Sequence, residues 1–203
     1  MNKKLTIFLV CLISLIDAAK IIIIRHGQGT HNLEGLYNSN PNNPNYTVAN
    51  LTEEGKKQVE RSAKKLLSYG INKNNVSKIY VSPLPRTVQT AEILIKNGVA
   101  SFDKMLIDKR LIERQTGSRE GHISKEFNYD EINGDYSKAH SYGGETAEDV
   151  RRRISAFHTE IKKLGKNQNI VVVTHETPSS ELINIISGKN THLDTAGFEI
   201  LSI

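Results

Sequence analysis

Lys20–Asn32, with the sequence KIIIIRHGQGTHN, is the stretch that decides the fold of this 203-residue chain. Its four consecutive isoleucines, Ile21–Ile24, are typical of a strand that is buried on both faces in the interior of a parallel sheet. The run stops at Arg25-His26-Gly27, where the glycine allows the backbone to turn. Because open α/β sheets bind their ligands at the carboxyl ends of parallel strands, this stretch predicts a binding site that holds a cation and an imidazole.

The rest of the chain alternates between apolar runs typical of strands and amphipathic patterns typical of helices. This alternation predicts one α/β domain over residues 20–203, a three-layer sandwich with a mainly parallel central sheet. Further strands are predicted over residues 78–82, 105–112, 169–174 and 197–203. Helices are predicted from the N-cap Thr52 to Gly70, over 86–96, over 146–164 with Thr146 as N-cap, and over 177–187.

Two polar segments interrupt this alternation. Residues 33–50 are rich in Asn and Pro and have no apolar period, so they are predicted to form a loop. Because this loop directly follows the first strand, we expect it beside the site. Residues 122–143 contain tyrosines, and we expect them to form the lid of the pocket, with a short helix near 125–132.

Residues 1–19 have the pattern of a secretory signal peptide. Two lysines precede the apolar run Leu5–Ile16, and Ala18 and Ala19 provide small residues for cleavage. The run is too short to span a bilayer comfortably, so no stable membrane insertion is expected after cleavage. We therefore expect a secreted or periplasmic protein. A buried first element of the domain is the alternative.

Composition and charge exclude several classes of partner. The net charge of +5 favours anionic substrates, but it is too small and dispersed to indicate nucleic-acid binding, and no aromatic-basic stacking pattern is present. The single cysteine, Cys11, lies in the predicted signal peptide, so no disulfide is expected in the mature protein. No acidic cluster has the spacing of metal ligands, which predicts a site without metal or other cofactor.

Four predicted strand ends carry side chains that suit one reaction. Two strands end in His26 and His175, Arg86 follows a third, and Glu113 follows a fourth. If these strands share a sheet edge, the side chains converge with Arg25. Arginine binds phosphate oxygens bidentately and stays charged, a neutral imidazole can attack phosphorus, and a protonated carboxylic acid can protonate the leaving oxygen. The set predicts phosphoryl transfer.

Six segments of the chain, in order, resemble the histidine phosphatase superfamily, branch 1, which has the phosphoglycerate mutase-like fold. They are RHG, LTEEG, SPLPRTVQTAEIL, LIERQTG, GGETAEDVRRR and VVVTHE. RHG alone would be weak support, whereas all six in this order and spacing cover nearly all of residues 20–203. The resemblance implies a phosphatase that hydrolyses small phosphomonoesters through a phosphohistidine intermediate.

The resemblance also implies a role for each residue that matches the family's motifs. His26 would be the nucleophile that becomes phosphorylated, and His175 would stabilise the transferring group. The phosphoryl oxygens would be bound by Arg25, Asn32 and Arg86.

The resemblance leaves two candidates for the proton donor. Glu113 matches the usual donor of this branch and would later, as a carboxylate, activate water. The acid phosphatase and phytase branch uses an acidic residue beside its second histidine, and Glu176 directly follows His175. Glu113 is preferred because of its motif and its predicted position at a strand end, and Glu176 is the alternative. The RHGxRxP motif of that other branch is missing.

Departures from the glycolytic mutases favour hydrolysis over isomerisation. Gly29 stands where those mutases carry serine, which removes one hydroxyl contact. Thr116 and Ser124 stand where they carry a substrate-binding tyrosine and lysine, although Arg114 is retained. A cofactor-dependent phosphoglycerate mutase is the alternative function. A non-catalytic binding module is a third, which the intact set of catalytic residue types opposes.

Several polar residues outside this set have simpler expected roles. His31 is expected to shape the loop beside the pocket, with direct substrate contact as the alternative. The run Arg151–Arg153 is expected to be a solvated helix face. Ser82 and Thr87 are expected to be local hydrogen-bond supports for the turn at Arg86.

Overall fold

The computed structural model describes residues 19–127, 136–164 and 168–202. Within them, one five-stranded sheet is formed by β1 (Lys20–Arg25), β2 (Val76–Val81), β3 (Met105–Ile107), β4 (Asn169–Thr174) and β5 (Phe198–Ser202). The strand order is β3-β2-β4-β1-β5. All neighbouring strands are parallel except β5, which runs antiparallel to β1. The predicted, mainly parallel sheet is therefore confirmed.

The helices of the described residues cover both faces of this sheet. They are α1 (Thr30–Glu34), α2 (Glu53–Ser68), α3 (Pro85–Lys96), α4 (Ala147–Ile161) and α5 (Glu176–Ser187). Short 3-10 turns occur at Phe102–Lys104, Lys109–Leu111, Gly117–Arg119, Ser124–Glu126 and Ala139–Tyr142. None of the described helices is both long enough and apolar enough to cross a membrane.

The four isoleucines of β1 divide between two hydrophobic cores because side chains alternate along a strand. Ile22 and Ile24 belong to the core that α2 and α3 cover, whereas Ile21 and Ile23 belong to the core that α4 and α5 cover. All four are 0% exposed. Burying each side chain contributes roughly 1.5–3 kcal/mol to folding. β1 is thus buried on both faces, and the molecule has the three predicted layers.

Two of the predicted N-caps are present and set where long helices begin. The Thr52 hydroxyl accepts a hydrogen bond from the Gly55 amide at 2.9 Å, at the start of α2. Thr146 and Asp149 form a reciprocal capping box at the start of α4. The helix α5 begins at Glu176, one residue before its predicted start, with His175 as N-cap.

The predicted third strand, 105–112, is too long. β3 ends at Ile107 because the Asp108 side chain accepts a hydrogen bond from the Arg110 amide and caps a 3-10 turn over Lys109–Leu111. Glu113 therefore follows this turn and does not stand at a strand end. The predicted loop 33–50 is also shorter, because α1 includes residues 33 and 34 and ends at Gly35 with φ of 69°.

Two predictions fall largely on residues that are not described. The predicted signal peptide, 1–19, lies outside the described residues except for Ala19, which is buried. The short helix predicted near 125–132 lies partly outside them, and its described part contains the end of the Ser124–Glu126 turn.

Candidate active site

The carboxyl end of the sheet brings together side chains that are far apart in sequence. His26 follows β1, His175 follows β4, and Arg86 lies in the first turn of α3, after β2. The ring centroids of His26 and His175 are 5.1 Å apart, and Arg86 Nε lies 3.1 Å from His26 Nε2. Two imidazoles and a guanidinium are therefore in contact at one point.

His26 is held as a neutral imidazole with a defined tautomer. Its Nδ1 lies 2.7 Å from the carbonyl oxygen of Gly27, so Nδ1 carries the proton and donates it there. The other nitrogen, Nε2, keeps its lone pair and accepts a hydrogen bond from Arg86 Nε. Burial, followed by the charge of Arg86, holds the pKa of His26 well below 6.5. The ring can therefore act as a nucleophile at neutral pH.

Arg86 is the largest of the fully buried side chains and is fixed by Asn38. Its NH1 donates to Asn38 Oδ1 and its NH2 to the Asn38 carbonyl oxygen, both at 2.7 Å. Burial lowers the pKa of Arg86 to about 10, which still leaves the guanidinium charged at neutral pH. The role of Asn38 was missed from the sequence because residues 33–50 show no periodic pattern.

His175 lies behind His26 and does not belong to the cavity wall. Its Nε2 is 2.7 Å from the hydroxyl of Ser82, and its Nδ1 is buried with no hydrogen-bond partner among the described residues. Burial, followed by the charge of Arg86, holds the pKa of His175 well below 6.5. Ser82 thus orients the second imidazole, and Thr87 donates in turn to the Ser82 carbonyl oxygen at 2.9 Å.

A cavity of about 460 Å³ opens onto His26 and gives access to it from one side. Its described wall carries four basic side chains and two acidic ones, which leaves an excess of positive charge. Such a wall attracts and holds an anion such as a phosphate group. The basic residues are Arg25, Arg86, Arg114 and Lys125, and the acidic residues are Glu113 and Glu176.

The two candidate proton donors have different surroundings in this wall. Glu176 forms an ion pair with Arg25, whose NH2 is 2.9 Å from its Oε2, and Nδ1 of His192 lies 3.1 Å from its Oε1. Glu113 accepts a hydrogen bond from the Arg114 amide at 2.8 Å and forms no ion pair with any described residue. Glu113 is therefore the less engaged of the two carboxyl groups.

The two remaining residues of the predicted phosphate site also line the cavity. Arg25 donates from NH1 to the Leu193 carbonyl oxygen at 2.8 Å, and its Nε is buried without a partner among the described residues. Asn32 accepts a hydrogen bond from the Gly29 amide at 2.9 Å through Oδ1. Each side chain thus uses one of its polar atoms to hold a neighbouring backbone segment.

The outer wall of the cavity combines Arg114, which the resemblance had indicated, with residues that the sequence did not indicate. Arg114 is nearly buried, and its guanidinium lies 3.7 Å from the centroid of the Tyr136 ring, a close cation–π contact. Lys125 and Tyr37 line the same wall. Ser124 stands where the mutases carry a lysine, but the next residue, Lys125, brings a lysine to the same wall.

Two carboxylates, one buried and one half-buried, hold the loops that form this wall. Glu120 is 0% exposed and accepts hydrogen bonds from the Ser39 amide at 2.6 Å and the Thr116 hydroxyl at 2.9 Å. Glu145 accepts from the Gln115 amide and from Arg153, each at 2.9 Å. The expectation that Arg153 lies on a solvated face is therefore wrong. No local sequence pattern could have indicated the pairs of Glu120 with Ser39 and of Glu145 with Gln115, which are 81 and 30 residues apart.

Among the described residues, no group of three or more His, Cys, Asp and Glu side chains is arranged to hold a metal ion. The cations that face the cavity are the side chains named above. An anion that enters the cavity can therefore be neutralised by the protein's own guanidinium and ammonium groups.

The chain matches the family described as the histidine phosphatase superfamily (branch 1) over residues 21–198. It is 30% identical over 166 residues to phosphoserine phosphatase 1 of Hydrogenobacter thermophilus, which covers 78% of this chain and 72% of that protein. It is also 30% identical over 102 residues to a 2,3-bisphosphoglycerate-dependent phosphoglycerate mutase of Staphylococcus saprophyticus. That match covers 50% of this chain and 41% of the mutase.

Solved structures of similar fold include both phosphatases and mutases. A mycobacterial glucosyl-3-phosphoglycerate phosphatase aligns with a TM-score of 0.72 and 19% identity, covering 91% of this chain and 90% of its own. The phosphoglycerate mutase of Bacillus anthracis aligns with a TM-score of 0.70 and 19% identity, covering 92% of each chain. At these identities the alignments show the fold alone. From the family match, the chain belongs to the histidine phosphatase superfamily.

Proposed function

We propose that this chain is a metal-independent phosphatase that hydrolyses small phosphomonoesters through a phosphohistidine on His26, outside the cytoplasm. The observation that carries the proposal is the state of His26. Its Nδ1 proton is donated to Gly27, its Nε2 lone pair faces Arg86, and its ring is neutral and buried at the end of a positively charged cavity.

In the first half-reaction, the phosphoryl group enters between Arg25, Arg86 and His26. A phosphoryl oxygen takes over the hydrogen bond that Arg86 Nε makes to His26 Nε2, and the freed lone pair of Nε2 attacks phosphorus. The P–N bond forms while the P–O bond to the leaving group breaks. Protonated Glu113 gives its proton to the departing oxygen, so the alcohol leaves neutral.

In the second half-reaction, water replaces the alcohol. The Glu113 carboxylate takes a proton from this water as its oxygen attacks phosphorus. The new P–O bond forms, the P–N bond breaks, and inorganic phosphate leaves. Nε2 regains its lone pair and Glu113 its proton. Positioning and electrostatic stabilisation account for most of the catalysis of phosphoryl transfer, which is why fixed arginines can serve in place of a metal.

Glu113 is assigned as the proton donor over Glu176 because of their contacts. The ion pair of Glu176 with Arg25 occupies the carboxylate that would have to carry the proton. Glu113 lines the same cavity without such a pair in the described part of the chain. Glu176 instead orients Arg25 toward the phosphate.

Hydrolysis is preferred over phosphoglycerate isomerisation, although relatives of both kinds exist. Thr116, which stands at the position of a mutase tyrosine, is nearly buried and donates its hydroxyl to Glu120 at 2.9 Å. Thr116 lines the cavity, but its hydroxyl proton is used to support a loop. Gly29 has no hydroxyl to offer. Export is supported by the lysine pair and apolar run within residues 1–19.

The proposal is tested on purified protein with a chelator and a panel of aryl, sugar, amino-acid and inositol phosphates. We expect activity in the chelator, inhibition by vanadate, and a loss of roughly 10⁴-fold or more in kcat for His26→Ala. His158→Ala, which lines a different cavity beside α4 and α5, is the matched control and should retain full activity. The reaction is quenched rapidly in alkali, because phosphohistidine is lost in acid. Mass spectrometry of the quenched protein should then find phosphate on His26. Substantial turnover by His26→Ala, or a strict metal requirement, would contradict the mechanism.

The choice of proton donor has its own test. Glu113→Gln should lower kcat for alkyl phosphates by about 10²–10⁴-fold, because a poor leaving group needs the proton. It should have a much smaller effect on aryl phosphates with acidic leaving groups. Glu176→Gln should show no such dependence on the leaving group. The opposite pattern would assign the donor to Glu176.

A further inference from the structure

His31 lies in the cavity wall, yet the mechanism above gives it no task. Its ring centroid is 5.5 Å from that of His26, and the side chain is nearly buried. Its Nδ1 is buried and has no hydrogen-bond partner among the described residues. Buried polar atoms are rarely left unpaired, so the orientation of this ring calls for an explanation.

The position of the His31 ring depends on the glycine two residues before it. A Cβ atom placed on Gly29 would lie 2.8 Å from His31 Nδ1 and 2.9 Å from its Cε1. Both distances are too short for unstrained contact, so the imidazole occupies space that a side chain at position 29 would need. By the family resemblance, Gly29 stands where the glycolytic mutases carry a serine, so this chain lacks one hydroxyl contact. The imidazole could therefore not keep its present position if residue 29 carried a side chain.

We propose that His31 is a phosphate-binding residue whose imidazole replaces the missing hydroxyl at position 29 and donates a hydrogen bond from Nε2 to a phosphoryl oxygen. This assignment rests on the proposed function, since it supposes that a phosphoryl group occupies the site beside His26. It adds a third imidazole to the two that the family motifs account for.

The tautomer follows from the burial of Nδ1. An unpaired buried N–H is rarer in proteins than an unpaired buried acceptor, so Nδ1 is the bare nitrogen. The single proton is then on Nε2, the nitrogen on the other side of the ring from Gly29. Burial, followed by the charges of Arg86 and Arg25, lowers the pKa of His31 to about 3. The ring therefore supplies a neutral donor and adds no charge to repel the two arginines.

The backbone around His31 is held firmly enough to aim the ring. It lies in α1, where the Asn32 side chain accepts a hydrogen bond from the Gly29 amide at 2.9 Å. The carbonyl oxygen of His31 accepts from the Leu36 amide at 3.0 Å. A donor fixed before the substrate arrives stabilises the transferring group without further ordering of the loop.

The test compares variants that remove, mimic or relocate the donor. His31→Phe keeps a ring without a donor, His31→Gln keeps an N–H near the place of Nε2, and Gly29→Ser with His31→Ala restores a hydroxyl at position 29. Binding of inorganic phosphate and of vanadate is measured by calorimetry, together with kcat and KM. We expect His31→Phe to weaken phosphate binding and lower kcat/KM by about 10–100-fold each, since hydrogen bonds to charged groups have effects of that size.

Two variants that regain a donor distinguish a phosphate contact by His31 from a purely structural role. His31→Gln should retain most of the phosphate affinity, and the double variant should bind phosphate at least about 10-fold more tightly than His31→Ala, because one donor is regained. His158→Phe is the matched control. Phosphate affinity of His31→Phe within twofold of the native value would overturn the proposal, and so would equal losses in His31→Ala and the double variant.

Binding and turnover together distinguish this proposal from the proposed function. If the protein hydrolyses phosphomonoesters and His31→Phe binds phosphate normally, the role of His31 is wrong and the function stands. If the protein hydrolyses none of the panel but binds phosphate in a His31-dependent manner, the function is wrong and the role of His31 stands. Absence of phosphate binding by the native protein would overturn both.

Discussion

The inner and outer ends of the active-site cavity are built in different ways. At the inner end, Arg25 and His26 stand at the end of β1, and Arg86 stands in the first turn of α3. At the outer end, Arg114 and Lys125 belong to segments held by 3-10 turns and side-chain contacts. The sheet thus fixes the groups that we propose bind the phosphoryl group, while loops present the groups that would meet the rest of the substrate. The reaction can stay constant while the outer end changes with the substrate.

Replacing one arginine at each end is the strongest way to test this division. Arg86→Lys removes the guanidinium group that contacts both His26 and Asn38. We therefore expect kcat/KM to fall by about 10²–10³-fold for every substrate. Arg114→Lys should lower it by about 10-fold or less, and by an amount that depends on the leaving group. Kinetics on a series of phosphomonoesters measure both effects. If both variants lost kcat/KM equally and by the same factor for every substrate, the two ends of the cavity would not have separate roles.

The inner end should also determine how the protein responds to acid. His26, His31 and His175 have folded-state pKa values lowered below 6.5, chiefly by burial. Below pH 6.5 the unfolded chain therefore binds protons that the folded protein does not, and the free energy of unfolding falls as the pH decreases. Each histidine contributes a slope of up to about 1.4 kcal/mol per pH unit.

A variant isolates one of these contributions. For His31→Gln, the loss of unfolding free energy between pH 6.5 and about pH 5 should be smaller by about 2 kcal/mol than for the native protein. Urea unfolding at a series of pH values measures the difference. Parallel pH profiles for the two proteins would mean that His31 titrates normally in the folded state.

The buried carboxylate that links the two ends should have the smallest effect. Glu120→Gln keeps the shape of the side chain but weakens the hydrogen bonds from Ser39 and Thr116, so we expect a loss of about 1 kcal/mol in unfolding free energy. Because Ser39 follows Asn38, which holds Arg86, KM should rise a few-fold with little change in kcat. Urea unfolding and steady-state kinetics test this. A larger fall in kcat than in affinity would place Glu120 in the chemical step.

The inner end of the cavity could be predicted from the sequence more fully than the outer end. The inner end was accessible because Ile21–Ile24 and the run before His175 are apolar strands whose ends must meet in a parallel sheet. The end of β3 was misplaced because Asp108 caps a turn within an otherwise strand-like run. A local hydrogen bond there outweighs the apolar pattern.

The outer end could not be predicted because its contacts follow no period. Asn38 meets Arg86 across 48 residues, and Ser39 meets Glu120 across 81. Arg153 looked like part of a solvated run, and only its contact with Glu145 reveals its part in holding the loop that carries Arg114. Such pairs depend on how loops cross in space, which neither composition nor periodicity encodes.

The interior position of β1 has a consequence for the order of folding. Among the described strands, β1 comes first in the sequence, yet its neighbours are the last two, and Lys20 N donates to Asn169 across 149 residues. Contacts of such separation form slowly, because a long loop must close first. Until residues 169–202 have been synthesised, the isoleucine run lacks its partner strands and is prone to aggregate. His26, the proposed nucleophile, is thus placed in the same late step that pairs β1 with β4 and β5.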